Sequence, residues 1–152
     1  MSKHAYENAE TNEAIDIIVM DEKYTPTYSH DTDAGADVRT RLDIVLPPRS
    51  VTQVPIGVKL SQFKEIWTKI EGRSSLAAQG IFPVGGVIDP DYQGEVLVLL
   101  ANITDEPFEI QEGDRIAQLV IHVRYQLDFN IVESFETETE RGENGLGSTG
   151  VQ

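Results

Sequence analysis

The stretch GGVIDPDYQGEVLVLL, residues 85–100, holds residue types that could recognise a planar base and activate water beside it. Gly85 and Gly86 leave the backbone open to close approach, and Val87 and Ile88 read as a short strand. DPDYQG is a strong turn, so the segment reads as a β-hairpin with Asp89 at its start and Tyr92 near its tip. Its main chain could face a base edge as a neighbouring strand would. Tyr92 could lie against a sugar or ring, and Asp89 could take a proton from water. The two aspartates are equally what an ordinary turn would use.

Three further stretches could handle an anion. In EGRSSLAAQG, residues 71–80, Arg73 precedes Ser74 and Ser75 at the head of a short helix, where backbone N–H groups point outward. In EGDRIAQLVI, residues 112–121, alternation puts Arg115, Ala117 and Leu119 on one face and Ile116, Gln118 and Val120 on the other. Gln118 then sits among apolar neighbours, as a satisfied amide or as a ligand contact. In RGENGLGSTG, residues 141–150, Arg141 opens a glycine-rich tail bearing Ser148 and Thr149. Such a tail can wrap phosphate through close backbone approach and a forked guanidinium, or it can be a loose terminus. A fourth stretch, DTDAGADVRT at 31–40, places Asp37 before a strand-like Val38, near a metal-bound phosphate or bracing a turn. His4, His30 and His122 have no spacing that suggests zinc.

The elements that must position these residues are mostly strands. Residues 15–20, 41–47, 51–60, 66–70, 95–104 and 115–123 are short runs rich in β-branched residues, separated by turn signals such as LPPRS, DEP and EGD. The pattern predicts an all-β jelly roll or distorted barrel with one short helix at 74–79. The expected organisation is a flexible arm over 1–14, a β domain over 15–132 and a mobile, Glu-rich C-terminal arm over 133–152.

Charge narrows the ligands. Twenty-six acidic against twelve basic side chains give a formal net charge of −14 over 152 residues. That excludes nonspecific nucleic-acid binding and docking on anionic membranes, both of which need a basic face. A small anion would need a local arginine cluster and a cation to offset the protein's field. There is no cysteine, no apolar run of membrane-spanning length and no signal-peptide layout, so the expectation is a soluble cytoplasmic protein.

Taken in order, AGADV, GRSSLA, GVIDPDYQGE, GDRIAQLVI and RGENGLGSTG resemble the five motifs of the trimeric deoxyuridine triphosphatase (dUTPase) family. The likeness runs from about residue 15 to 150, and the LPPRS…VPIGV stretch is similar to that family's link between its first two motifs. The resemblance implies a jelly-roll homotrimer with three active sites between subunits, each closed by a C-terminal tail acting as a lid. It implies Mg2+-dependent hydrolysis of dUTP to dUMP and pyrophosphate, which limits uracil entry into DNA and supplies dUMP for dTMP synthesis.

Carried over by residue, Asp89 is the implied general base, orienting water for in-line attack on the α-phosphorus and touching the sugar 3′-hydroxyl. Tyr92 is the implied floor of the deoxyribose, where a ribose 2′-hydroxyl would clash. The main chain around Gly86, Val87, Ile88 and Leu97 is implied to read the uracil edge. Arg73, Ser74, Ser75 and Gln118 are implied to hold phosphates, with Arg141, Gly147, Ser148 and Thr149 reaching the distal ones from the lid. Mg2+ would sit mainly on the triphosphate, with Asp37 meeting it through water.

One position departs from the family. Leu146 stands where a phenylalanine usually stacks on the uracil, and a leucine covers the base while forfeiting about 1 kcal/mol of aromatic geometry. The glutamates before Arg141 are also unusual for a phosphate-binding tail and predict closure sensitive to salt and Mg2+. Two alternatives share the fold: a dCTP-deaminase-like enzyme, which has similar Arg-Ser-Ser and Ile-Asp-Pro segments, and a non-catalytic trimeric regulator.

Overall fold

The computed structural model describes residues 14–143. In chain order the elements are β1 (Asp16–Val19), β2 (Gly35–Arg39), β3 (Ile44–Leu46), β4 (Ser50–Pro55), β5 (Val58–Ser61) and β6 (Ile66–Glu71). They continue with α1 (Ser74–Ala77), β7 (Ile81–Pro83), β8 (Val87–Ile88), β9 (Leu97–Asn102), β10 (Phe108–Ile110) and β11 (Arg115–Val123). A single 3-10 turn, Glu22–Tyr24, joins β1 toward β2. The result is an all-β jelly-roll arrangement with one short helix, as the turn spacing predicts.

All strand pairs are antiparallel. They form a four-stranded sheet in the order β2-β11-β6-β8, a three-stranded sheet β4-β9-β7, and the two-stranded pairs β1-β5 and β3-β10. Among the described residues these sheets do not close into a barrel. Their inner faces bury Val38, Leu46, Val54, Ile56, Val58, Ile81, Val98, Leu100 and Ile116 together. Burial at alternate positions of each strand supplies most of the driving force that holds the sheets face to face.

Three expectations are corrected. The run 51–60 is two strands, because Gly57 has φ of 70° and cannot continue an extended ladder; β4 pairs with β9 while β5 turns to β1. Residues 85–100 are no hairpin, because β8 pairs with β6 whereas β9 pairs with β4 and β7. The turn DPDYQG therefore crosses between sheets. In β11 a register shift between Arg115 and Ala117 turns Ile116 into the core beside Ala117 and Leu119, which leaves Gln118 and Val120 partly exposed.

Candidate active site

The sheet crossing creates a cleft. β8 lies in one sheet and β9 in another, and between them opens a space of about 280 Å³ lined by Ile70, Gly86, Val87, Asp89, Tyr92 and Leu97, among others. Gly86 sits at φ 99°, and a Cβ there would lie 2.8 Å from the carbonyl oxygen of Ile70. No side chain fits that position, so the cleft wall is bare backbone at this point. Its register is fixed by the Ile70 N–H, which donates to the Gly86 carbonyl at 2.8 Å.

Asp89 stands exposed at the cleft, and its carboxylate accepts no hydrogen bond from any described residue. Its backbone, in contrast, is tied down. The Asp89 carbonyl accepts from the Tyr92 N–H at 3.1 Å and from Gln62 Nε2 at 3.2 Å. Thr68, buried in β6, in turn donates its hydroxyl to Gln62 Oε1. The carboxylate is thus open to solvent while the backbone that carries it is hydrogen-bonded on two sides. Tyr92 lines the same cleft, and its hydroxyl donates to the Glu95 carbonyl at 2.9 Å.

A second group gathers on the far side of the four-stranded sheet. Asp37 on β2 accepts from Arg73 Nε at 3.1 Å and from Arg115 Nη1 at 3.3 Å, and its side chain is 15% exposed. Arg73 also donates Nη1 to the Arg115 carbonyl at 3.1 Å. Arg73, Ser75, Arg115 and Arg39 border another cleft, of about 420 Å³. Ser74 and Ser75 are exposed and form the first turn of α1, as expected; Arg73 occupies the N-cap without a side-chain cap bond. The open question at Gln118 is settled in part by geometry: Nε2 donates to the Gly72 carbonyl at 2.8 Å. Its Oε1 lies over Gly35, where a Cβ would be 2.4 Å away.

Arg141 is exposed in a turn closed by the Gly142 N–H and the Thr139 carbonyl at 3.0 Å. Leu146, Gly147, Ser148 and Thr149 lie outside the described residues. Among the described residues no cluster of three or more His, Asp or Glu could hold a metal, and no helix is long and apolar enough to cross a membrane.

The register measures the gap between the two groups. Ile88 stands opposite Thr68, and Asp37 stands opposite Gln118, which faces Glu71. Asp89, one residue beyond Ile88, is therefore four residues along β6 and three strand spacings across the sheet from Asp37, roughly 20 Å.

Comparison with known proteins decides the family. The dUTPase family model matches residues 21–150. The dUTPase of Helicobacter pylori is 39% identical over 129 residues, covering 83% of this chain and 88% of that one. The chain belongs to the dUTPase family. A dUTPase of Haemophilus influenzae is 38% identical over 149 residues, covering 91% of this chain and 98% of its own. The structure of Staphylococcus bacteriophage 80alpha dUTPase with dUPNHPP superposes with a TM-score of 0.83 at 26% identity, covering 93% of this chain and 100% of that one.

Within this dUTPase-family chain, sequence reasoning missed three side chains that organise the site. Gln62 lies in SQFK, where nothing in the local pattern marks it. Arg115 and Glu95 fall inside GDRIAQ and YQGE, and their position in those motifs was the available signal.

Proposed function

We propose that this enzyme of the dUTPase family hydrolyses dUTP to dUMP and pyrophosphate, with Asp89 as the base. The observation that carries the reading is the unengaged Asp89 carboxylate, on a backbone fixed by Gln62, at the mouth of a cleft walled by bare backbone at Gly86. A water held by Asp89 gives it a proton while its oxygen attacks the α-phosphorus; the bond to the bridging oxygen breaks in line, and pyrophosphate leaves. The main chain near Gly86 and Leu97 reads the uracil edge, and a cytosine leaves buried groups unpaired there. Tyr92 closes the space that a ribose 2′-hydroxyl would need.

Arg73, Ser75 and Gln118 receive phosphates, with Ser74 beside them and Arg141, Gly147, Ser148 and Thr149 approaching from the tail over Leu146. Asp37 would be the residue that meets Mg2+: a single, partly exposed carboxylate suits an ion that keeps its waters and takes most ligands from phosphate. When bound it neutralises charge on the triphosphate. Asp37 accepts from Arg73 and Arg115, the same guanidiniums that would receive phosphate, so the carboxylate would be shared between holding the metal's waters and orienting the arginines.

The proposal includes a homotrimer with shared sites, a state that the resemblance implies and that the spacing of the two groups supports. Groups about 20 Å apart on one chain are poorly placed to serve the same reacting phosphates, which favours Asp89 of one subunit working with Asp37 and Arg73 of another. The exposed apolar segment after β11 supports assembly: Phe129 and Ile131 are 99% and 97% exposed, more apolar surface than a solitary arm would carry.

Pyrophosphate release from dUTP, dCTP, dTTP and UTP with Mg2+ tests the reading. Release from dUTP alone is expected. Ammonia release from dCTP, or no release from dUTP by the folded protein, would reject it in favour of the deaminase or a silent scaffold.

A further inference from the structure

Tyr92 is 45% exposed, so packing alone does not fix its ring. Two other features do. The ring lies against Gly94: a Cβ there would sit 2.5 Å from the tyrosine oxygen and 2.7 Å from Cζ. Gly94 is not among the glycines with positive φ, so its backbone would accept alanine and the objection comes from the Tyr92 ring. The second feature is the 2.9 Å bond from the Tyr92 hydroxyl to the Glu95 carbonyl.

That carbonyl is held in turn. Glu95 Oε1 accepts from Arg41 Nε at 2.7 Å and from the Gly57 N–H at 2.9 Å, and Oε2 accepts from Arg41 Nη2 at 3.2 Å. Both side chains are about three-quarters shielded, at 27% and 25% exposure. The forked ion pair ties Glu95 to the segment before β3 and to the bend between β4 and β5.

We propose that Gly94, Glu95 and Arg41 are positioning residues that hold the Tyr92 ring as the sugar floor, and so set the preference for deoxyribose over ribose. This rests on the reading of the Asp89 cleft as the nucleotide site. None of the three touches the reacting atoms. They act by keeping the ring against Gly94, and a ring that lifts or swings changes the room beside the sugar.

The test measures kcat and KM for dUTP and UTP in the full-length protein. In Gly94→Ala the ratio of kcat/KM for dUTP over UTP should fall about tenfold, and in Arg41→Lys, which keeps charge but loses the fork, about threefold. The pH profile of kcat for dUTP should keep its shape, because Asp89 is untouched. Should Gly94→Ala fail to fold, Tyr92→Phe carries the test, since it removes only the hydroxyl bond and should also lower the ratio. An unchanged ratio in the folded variants, even with slower turnover of both nucleotides, overturns the proposal. A wild-type enzyme that hydrolyses dUTP but does not distinguish it from UTP overturns it as well. A wild type that hydrolyses neither rejects the nucleotide site itself.

Discussion

The two halves of the site are built on opposite principles. Around Asp37 every charge already has a partner: two guanidiniums share one carboxylate, and Gln118 is hydrogen-bonded to Gly72. Around Asp89 the side chain is unengaged and the backbone is hydrogen-bonded, with bare main chain at Gly86 and a tethered carbonyl. The first region can bind only by exchanging partners. The second can bind by shape alone. On the proposed reading, a −14 chain takes a polyanion where its guanidiniums already share a carboxylate, and its base selectivity rests on a position where no side chain fits.

The largest effect should come from the reacting group. Asp89→Asn is expected to lower kcat by about 10²–10⁴ with little change in binding of a non-hydrolysable dUTP analogue, whereas Arg73→Ala should raise KM as well and flatten the salt dependence. Steady-state kinetics beside equilibrium binding separates the two. If both variants lost affinity equally, the contrast between the regions would be wrong.

Next comes the backbone wall. Gly86→Ala forces a Cβ into the Ile70 carbonyl at a left-handed φ, a strain of about 1–3 kcal/mol, so KM for dUTP should rise about tenfold or more. An equivalent loss for phosphate-only ligands such as pyrophosphate would blur the division of labour.

A smaller effect concerns acid. The Arg41 guanidinium, ahead of the Gly57 N–H, holds the Glu95 carboxyl below its ordinary value of 4.5. A pKa lowered by folding gives stabilisation that is present above the unfolded value and lost as pH falls below it. Melting temperature should therefore drop on acidification through that region, and Arg41→Gln should remove part of the drop. The smallest change is at the tail: Leu146→Phe should lower KM by up to about fivefold, the equivalent of about 1 kcal/mol of stacking.

Much of this was legible in the sequence because turn residues and β-branched runs are local signals. The strands at 66–70 and 115–123 and the short helix appear where the pattern puts them. What was not legible is the pairing partner of each strand. DPDYQG reads as a hairpin turn, yet whether β8 and β9 share a sheet depends on β6 and β4, far away in the chain. The bulge at Ile116 likewise arises from β11 meeting β2, and no alternation count detects it. Asp37, Arg73 and Gln118 are read from separate stretches and brought together only by the family resemblance. Their meeting, and the arrival of Arg115 on the same carboxylate, needed the register.

The measurement that bears most directly on the shared site is complementation between two inactive variants. In the proposed trimer, Asp89→Asn and Arg73→Ala subunits co-expressed in equal amounts would mix so that some sites draw Asp89 from one subunit and Arg73 from its neighbour. Random cyclic assembly predicts that activity returns to about a quarter of the wild-type level, although each parent alone is nearly inactive. Activity no higher than the parents' mean, in trimers shown by mass to be mixed, would mean that both groups serve one nucleotide from the same chain and would contradict the account.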